Sequence, residues 1–108
     1  MAPQPEIDVA KNARMVEWLK AELAGGVAGL LHALVKGRRE EALDALAEIV
    51  IAAFLLGRRL GIPFARLEMK IEAALHANIQ QGHQVEEWFG DLTALTERFR
   101  SDRGERDG

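Results

Sequence analysis

The longest run without a polar side chain is IVIAAFLL at residues 49–56, eight residues inside the stretch REEALDALAEIVIAAFLLGRRL. A helix that is apolar on every side for two turns has no face to give to water, so this stretch is predicted to be the core helix of a bundle or an oligomer. Just before the run, Glu41, Asp44 and Glu48 recur at steps of three and four, which puts the three carboxylates on one helix face. Earlier in the chain Val16, Leu19, Leu23, Val27, Leu30 and Leu34 step in the same way. They predict one apolar stripe on a helix of about 25 residues, opened by Asp8 as N-cap, with Met15 and Trp18 as flanking packing groups. Gly37 follows Lys36 as a helix stop, and a connection this short makes the first two helices antiparallel neighbours. That pairing sets Asp44 level with Leu31 and His32, Glu48 level with Val27, and Glu22 opposite Ala53.

Beyond the core helix, Arg58 and Arg59 suit the negative end of its dipole, Gly61 stops it, and Pro63 suits the first turn of the next helix. Phe64, Leu67, Ile71, Leu75 and Ile79 form a third stripe, ended by Gly82. Val85, Trp88, Leu92, Leu95 and Phe99 then predict a short turn or helix at 84–89 and a last helix capped by Asp91. No strand-like alternation and no internal repeat is present. The chain is therefore expected to be all-α, an antiparallel bundle of four helices over residues 8–101, with a loose lead-in at 1–7 and a disordered, mixed-charge tail at 102–108.

The first helix carries an oddity, the series Ala21, Gly25, Gly29 and Ala33 with Ala24, Gly26 and Ala28 beside it. An interior glycine costs about 1 kcal/mol against alanine, so the series needs a compensating gain. Two gains are open and compatible: close approach of another helix, or space for a ligand beside the acidic stripe, with Gly25, Gly26, Gly29 and His32 lining the pocket.

Composition narrows the field. Hydrophobic residues at 48% and charged residues at 29% are ordinary for a globular domain, and a formal net charge of −3 without a basic stripe argues against nucleic acid. There is no cysteine, hence no disulfide or thiolate metal site. No signal-type apolar region opens the sequence, and the eight-residue run falls short of the roughly 20 residues that span a bilayer, so no membrane association and a cytoplasmic location are expected. A core helix that is apolar all round in a chain of 108 residues is expected to complete its burial in a homodimer.

The candidate chemistry is a carboxylate site. Glu41, Asp44 and Glu48, with Glu22 on the first helix, are oxygen ligands of the kind that hold Mg²⁺ beside a nucleotide phosphate. The same carboxylates in the first turns of a helix are also favoured by the dipole with no further role. His32 lies level with Asp44 and is a packing residue or its partner. His76 and His83 form no metal spacing, and no nucleophile arrangement, phosphate-cradling loop or zinc motif is present. No catalytic residue is assigned.

The segment GGVAGLLHALVKGRREEALDALAEIVIAAFLLGRRLGI, with its short turn between the first two helices, and the later segment GHQVEEWFGDL resemble the small bacterial group of MazG-like proteins, related to the all-α MazG nucleotide pyrophosphohydrolases. That resemblance implies an all-α dimer and a nucleotide ligand, with Mg²⁺ held by paired carboxylates on the first two helices where the protein is catalytic. Laid on this chain, the implied positions fall on Gly26 and Gly29 and on Ala45 and Glu48, so Glu48 alone keeps a carboxylate. Two functions follow as expectations: a MazG-like module that acts in binding or regulation without the full metal centre, or a weak Mg²⁺-dependent nucleoside triphosphate pyrophosphohydrolase.

Overall fold

Glycines at positive φ set the chain's turns. The computed structural model describes the backbone of residues 5–81 and 90–107, and the side chains of residues 8–81 and 90–101. Four helices account for them: α1 (Pro5–Lys36), α2 (Arg39–Arg59), α3 (Phe64–Gln80) and α4 (Asp91–Asp107), with no strand among the described residues. The protein is all-α, as the periodicity predicts. The chain divides into two compact units, Met1–Phe64 and Ala65–Gly108.

In the first unit α1 and α2 form an antiparallel hairpin. Gly37, at φ +66, ends α1, and the amides of Gly37 and Arg38 donate to the carbonyls of Leu34 and Ala33 at 3.3 and 2.9 Å. Gly61, at φ +85, ends α2 in the same manner, with Gly61 and Ile62 donating to Arg58 and Gly57 at 3.0 and 2.9 Å. Both are the paired closure that a left-handed residue permits, and a side chain at either position would strain the backbone.

The seam between the helices does not follow the largest side chains. Leu19, Gly26 and Ala33 are the buried positions of α1, with Asn12, Val16, Leu23 and Leu30 half-buried between them. Ala42, Ala45 and Ala52 are buried on α2, with Ile49 and Leu56 half-buried. Both sets alternate steps of three and four, the spacing of two helices that lie nearly along one another. A Cβ built on Gly26 would lie 3.0 Å from Ile49 Cγ1, which fixes the level of the two helices, and stepping from that contact sets Ala33 across from Ala42 and Leu19 across from Leu56. The predicted stripe is thereby corrected at two places. Val27 and Leu34 are exposed, because the smaller Gly26 and Ala33 let the helices close on their own side.

Some boundaries also move. α1 begins at Pro5, not with Asp8 as its cap; proline suits a first turn, where its missing N–H has no partner to lose. At the other end α4 starts at Asp91, but the Gly90 carbonyl accepts the first helical bond from Ala94 N–H at 3.1 Å, so Gly90 takes the capping place assigned to Asp91. The helix then runs to Asp107 through the segment expected to be a disordered tail. That segment holds no proline, and each added residue gains one backbone bond once a helix is under way. The expected turn at 84–89 lies outside the described residues.

The second unit contains the rest of α3 with α4. Among its described residues Leu75 is the buried one, and Leu67, Ile71, Ile79, Leu92 and Phe99 are half-buried. Thr96 Oγ1 donates to the Leu92 carbonyl at 2.8 Å. α1 over Asp8–Lys36 is long and apolar enough to cross a membrane by length and composition, a test that core helices of soluble proteins also pass.

Candidate functional site

Beside the seam, the hairpin has two flanks. On one, Met15, Trp18, Glu22, Gly25, Gly29 and His32 follow one another on α1 at steps of three and four, and Glu41, Asp44, Glu48, Ile51, Leu55 and Arg58 do so on α2. Every candidate residue named from the sequence lies here except Gly26. On the other flank run Val27, Leu31 and Leu34 from α1 and Leu43, Leu46 and Val50 from α2, each between 42% and 61% exposed.

The first flank opens into two adjoining depressions. A small recess of about 120 Å³ is lined by Trp18, Leu19, Glu22, Glu48, Ile51, Ala52 and Leu55. Glu22 and Glu48 both line it, with Glu22 level with Ala53 and Glu48 level with Val27. Next to it lies a larger, mostly apolar cleft of about 440 Å³ lined by Met15, Trp18, Leu19, Leu55, Arg58, Arg59 and Phe64. The Arg58 guanidinium carbon sits 4.9 Å above the Phe64 ring, and Phe64 meets Phe54 edge-on at 6.0 Å.

Asp44 and Glu41 do not line the recess. Glu41 accepts from Arg38 Nη1 at 3.2 Å, a pair that faces the turn. His32 is exposed on the same flank and lines neither depression. Among the described residues no group of three or more His, Asp or Glu side chains is placed to hold one metal ion. Of the candidate carboxylates, Glu22 and Glu48 are the two that line one recess.

The glycines divide. A Cβ added to Gly26 would meet Ile49 and, at 3.8 Å, the Ala45 carbonyl, which is the close helix approach expected of a small residue. Gly25 and Gly29 have nothing within 4 Å of an added Cβ and stand on the open flank. Gly26 and Ala45 thus lie in the closed seam, and Gly29 and Glu48 beside it.

The aromatic and cationic cleft was not found by reasoning from sequence, which assigned Met15 and Trp18 to packing and the arginines to the dipole. Its signal is present: Met15 and Trp18 continue the step of Glu22, Gly25 and Gly29. In the second unit a further cleft of about 450 Å³ lies between α3 and α4, with Glu72, His76, Glu97 and Arg100 among its walls.

The segment GHQVEEWFGDL is described from Gly90 onward, and its earlier residues lie outside the described part. No curated protein and no solved structure matches the chain. The model of the MazG-like family matches residues 9–92, and on that match, over most of its length, the chain belongs to the MazG-like family.

Proposed function

We propose that this chain is a non-catalytic MazG-like module: a helical protein that pairs with a second copy of itself in the cytoplasm and serves a binding or regulatory role. The observation that carries the reading is the closed seam at Gly26 and Ala45. Two of the four positions where the resemblance puts metal-binding carboxylates hold a glycine and an alanine, and the space beside Gly26 is filled by Ile49. A third position is Gly29, so a four-carboxylate Mg²⁺ centre does not fit the residues present. With Glu48 the one carboxylate kept at those positions, a strongly hydrated Mg²⁺ gains little by leaving its water shell.

Pairing is supported by the second flank, where six large aliphatic side chains stand half in water. Contiguous apolar patches above a few hundred Å² mark interaction surfaces on soluble proteins. A second copy supplies a surface of the same chemistry, as a two-fold interface requires. Sedimentation velocity at micromolar concentration is expected to give a dimer, and a monomer there rejects the pairing.

The deciding assay is pyrophosphate release from a panel of nucleoside triphosphates with Mg²⁺ or Mn²⁺, run beside a variant carrying Glu48→Gln and Asp44→Asn. No release, or release that the variant shares, is the expected result. A second reading, weak Mg²⁺-dependent hydrolysis of nucleoside triphosphates, is favoured by the shared recess of Glu22 and Glu48. Release abolished in the variant establishes that reading instead, and the absence of thermal stabilisation by millimolar Mg²⁺ or Mn²⁺, with or without a non-hydrolysable nucleotide, rejects it.

A further inference from the structure

The larger cleft on the first flank has a chemistry of its own. Its volume of about 440 Å³ lies within the range of small-molecule pockets. Trp18 and Phe64 supply aromatic walls, Met15 and Leu55 aliphatic ones, and the charged groups that line it, Arg58 and Arg59, are both cations. Among the described residues no carboxylate lines it. Glu22 and Glu48 belong to the adjoining recess, and neither arginine has a carboxylate partner among the described residues.

The walls are held in place. Phe64 is fixed edge-on to Phe54 and beneath the Arg58 guanidinium, so that cation already lies over a ring at the rim. The last carbonyls of α2, which would otherwise repel an anion, accept from the amides of Leu60, Gly61 and Ile62. Asn12 Nδ2 donates to the Arg59 carbonyl at 3.3 Å. Trp18 nevertheless stays 53% exposed within this cleft, a large ring with open space beside it. Aromatic walls stack on a planar ring, and guanidinium forks pair with planar oxyanions.

We infer that this cleft binds a small planar aromatic anion, its ring against Trp18 and Phe64 and its oxyanion on Arg58 and Arg59. The inference goes beyond the proposed function and does not use Glu48 or any metal, so the two stand or fall separately.

The test uses the full-length chain with Trp88→Phe, which leaves Trp18 as the sole indole. Three probes share a nitrophenyl ring that quenches indole emission: 4-nitrobenzoate, neutral 4-nitrobenzyl alcohol and cationic 4-nitrobenzylamine. Saturable quenching by the benzoate is expected, with the alcohol about tenfold weaker and the amine weaker still. Replacing both arginines, Arg58→Gln with Arg59→Gln, is expected to erase that order while the thermal melt stays in place. Equal binding of the three probes, stronger binding of the amine, an order that survives the arginine replacement, or no saturation at millimolar benzoate each overturns the inference. If Trp88→Phe fails to fold, amide and indole shift mapping of the unaltered chain with the same probes gives the same reading.

Discussion

The two flanks of the α1–α2 hairpin are built from the same pair of helices on either side of one seam, yet they present opposite surfaces. One carries Val27, Leu31, Leu34, Leu43, Leu46 and Val50, an unbroken aliphatic strip with no group that selects a small ligand. The other mixes glycines, acids, aromatic rings and arginines, and is indented twice. A uniform apolar strip gains most from covering by another protein surface, whereas indentations with a few placed charges suit small molecules. On the functions proposed above, the hairpin separates association from recognition, one on each side of its seam.

The sharpest way to break this picture is to disturb the seam that divides the flanks. Gly26→Glu forces a charged side chain against Ile49, and a loss of about 3 kcal/mol or more is expected in urea unfolding. A melt within experimental error of the parent chain shows that the seam opens easily, which removes the main support for a non-catalytic protein. Next in size is the aliphatic flank. Leu31→Asp together with Leu46→Asp is expected to weaken self-association by about 2–4 kcal/mol, giving a folded monomer by sedimentation, with helicity by circular dichroism unchanged. A dimer that persists moves the interface elsewhere.

Smaller effects sharpen the contrast between neighbouring glycines. Gly25→Ala and Gly29→Ala add a methyl into open space and improve helix propensity, so each is expected to stabilise by up to about 1 kcal/mol, or 4–8 °C in Tm for a domain of this size. Gly26→Ala gains the same propensity but meets Ile49 Cγ1 at 3.0 Å, and its expected net effect is a loss. Equal Tm shifts for the three variants show that the seam is no tighter than the open flank. Smallest of all, Glu48→Gln removes one of two like charges in the shared recess and is expected to raise Tm slightly at low salt, by a few tenths of a kcal/mol, with the gain fading as salt is added. A clear fall in Tm assigns Glu48 a stabilising contact instead.

The turns and the level of the hairpin were legible because they depend on local chemistry: Gly37 and Gly61 each follow basic residues at the end of an apolar run and take the left-handed φ that closes a helix, and a tight turn leaves one antiparallel level. The path of the seam was not. Choosing Val27 and Leu34 for the interior follows side-chain hydrophobicity, but two helices settle where their backbones approach most closely, and Gly26, Ala33, Ala42, Ala45 and Ala52 set that line. Glu22 and Glu48 stand at different levels of the hairpin, and residue levels do not represent the recess that both of them line. Trp18, Phe64, Arg58 and Arg59 come from three elements, each with a sufficient local explanation, so their convergence is visible in three dimensions alone.

The contact between Gly26 and Ile49 also has a consequence for sliding. A seam of repeating threes and fours, closed by alanines, is nearly self-similar after a shift of one heptad, and such hairpins can creep into neighbouring registers. Shifted by a heptad along α1, Ile49 faces Leu19 or Ala33, each of which puts a Cβ where Gly26 has none. The missing Cβ is a notch that accepts one tooth, and it holds the hairpin in the alignment that keeps its acids, rings and arginines together.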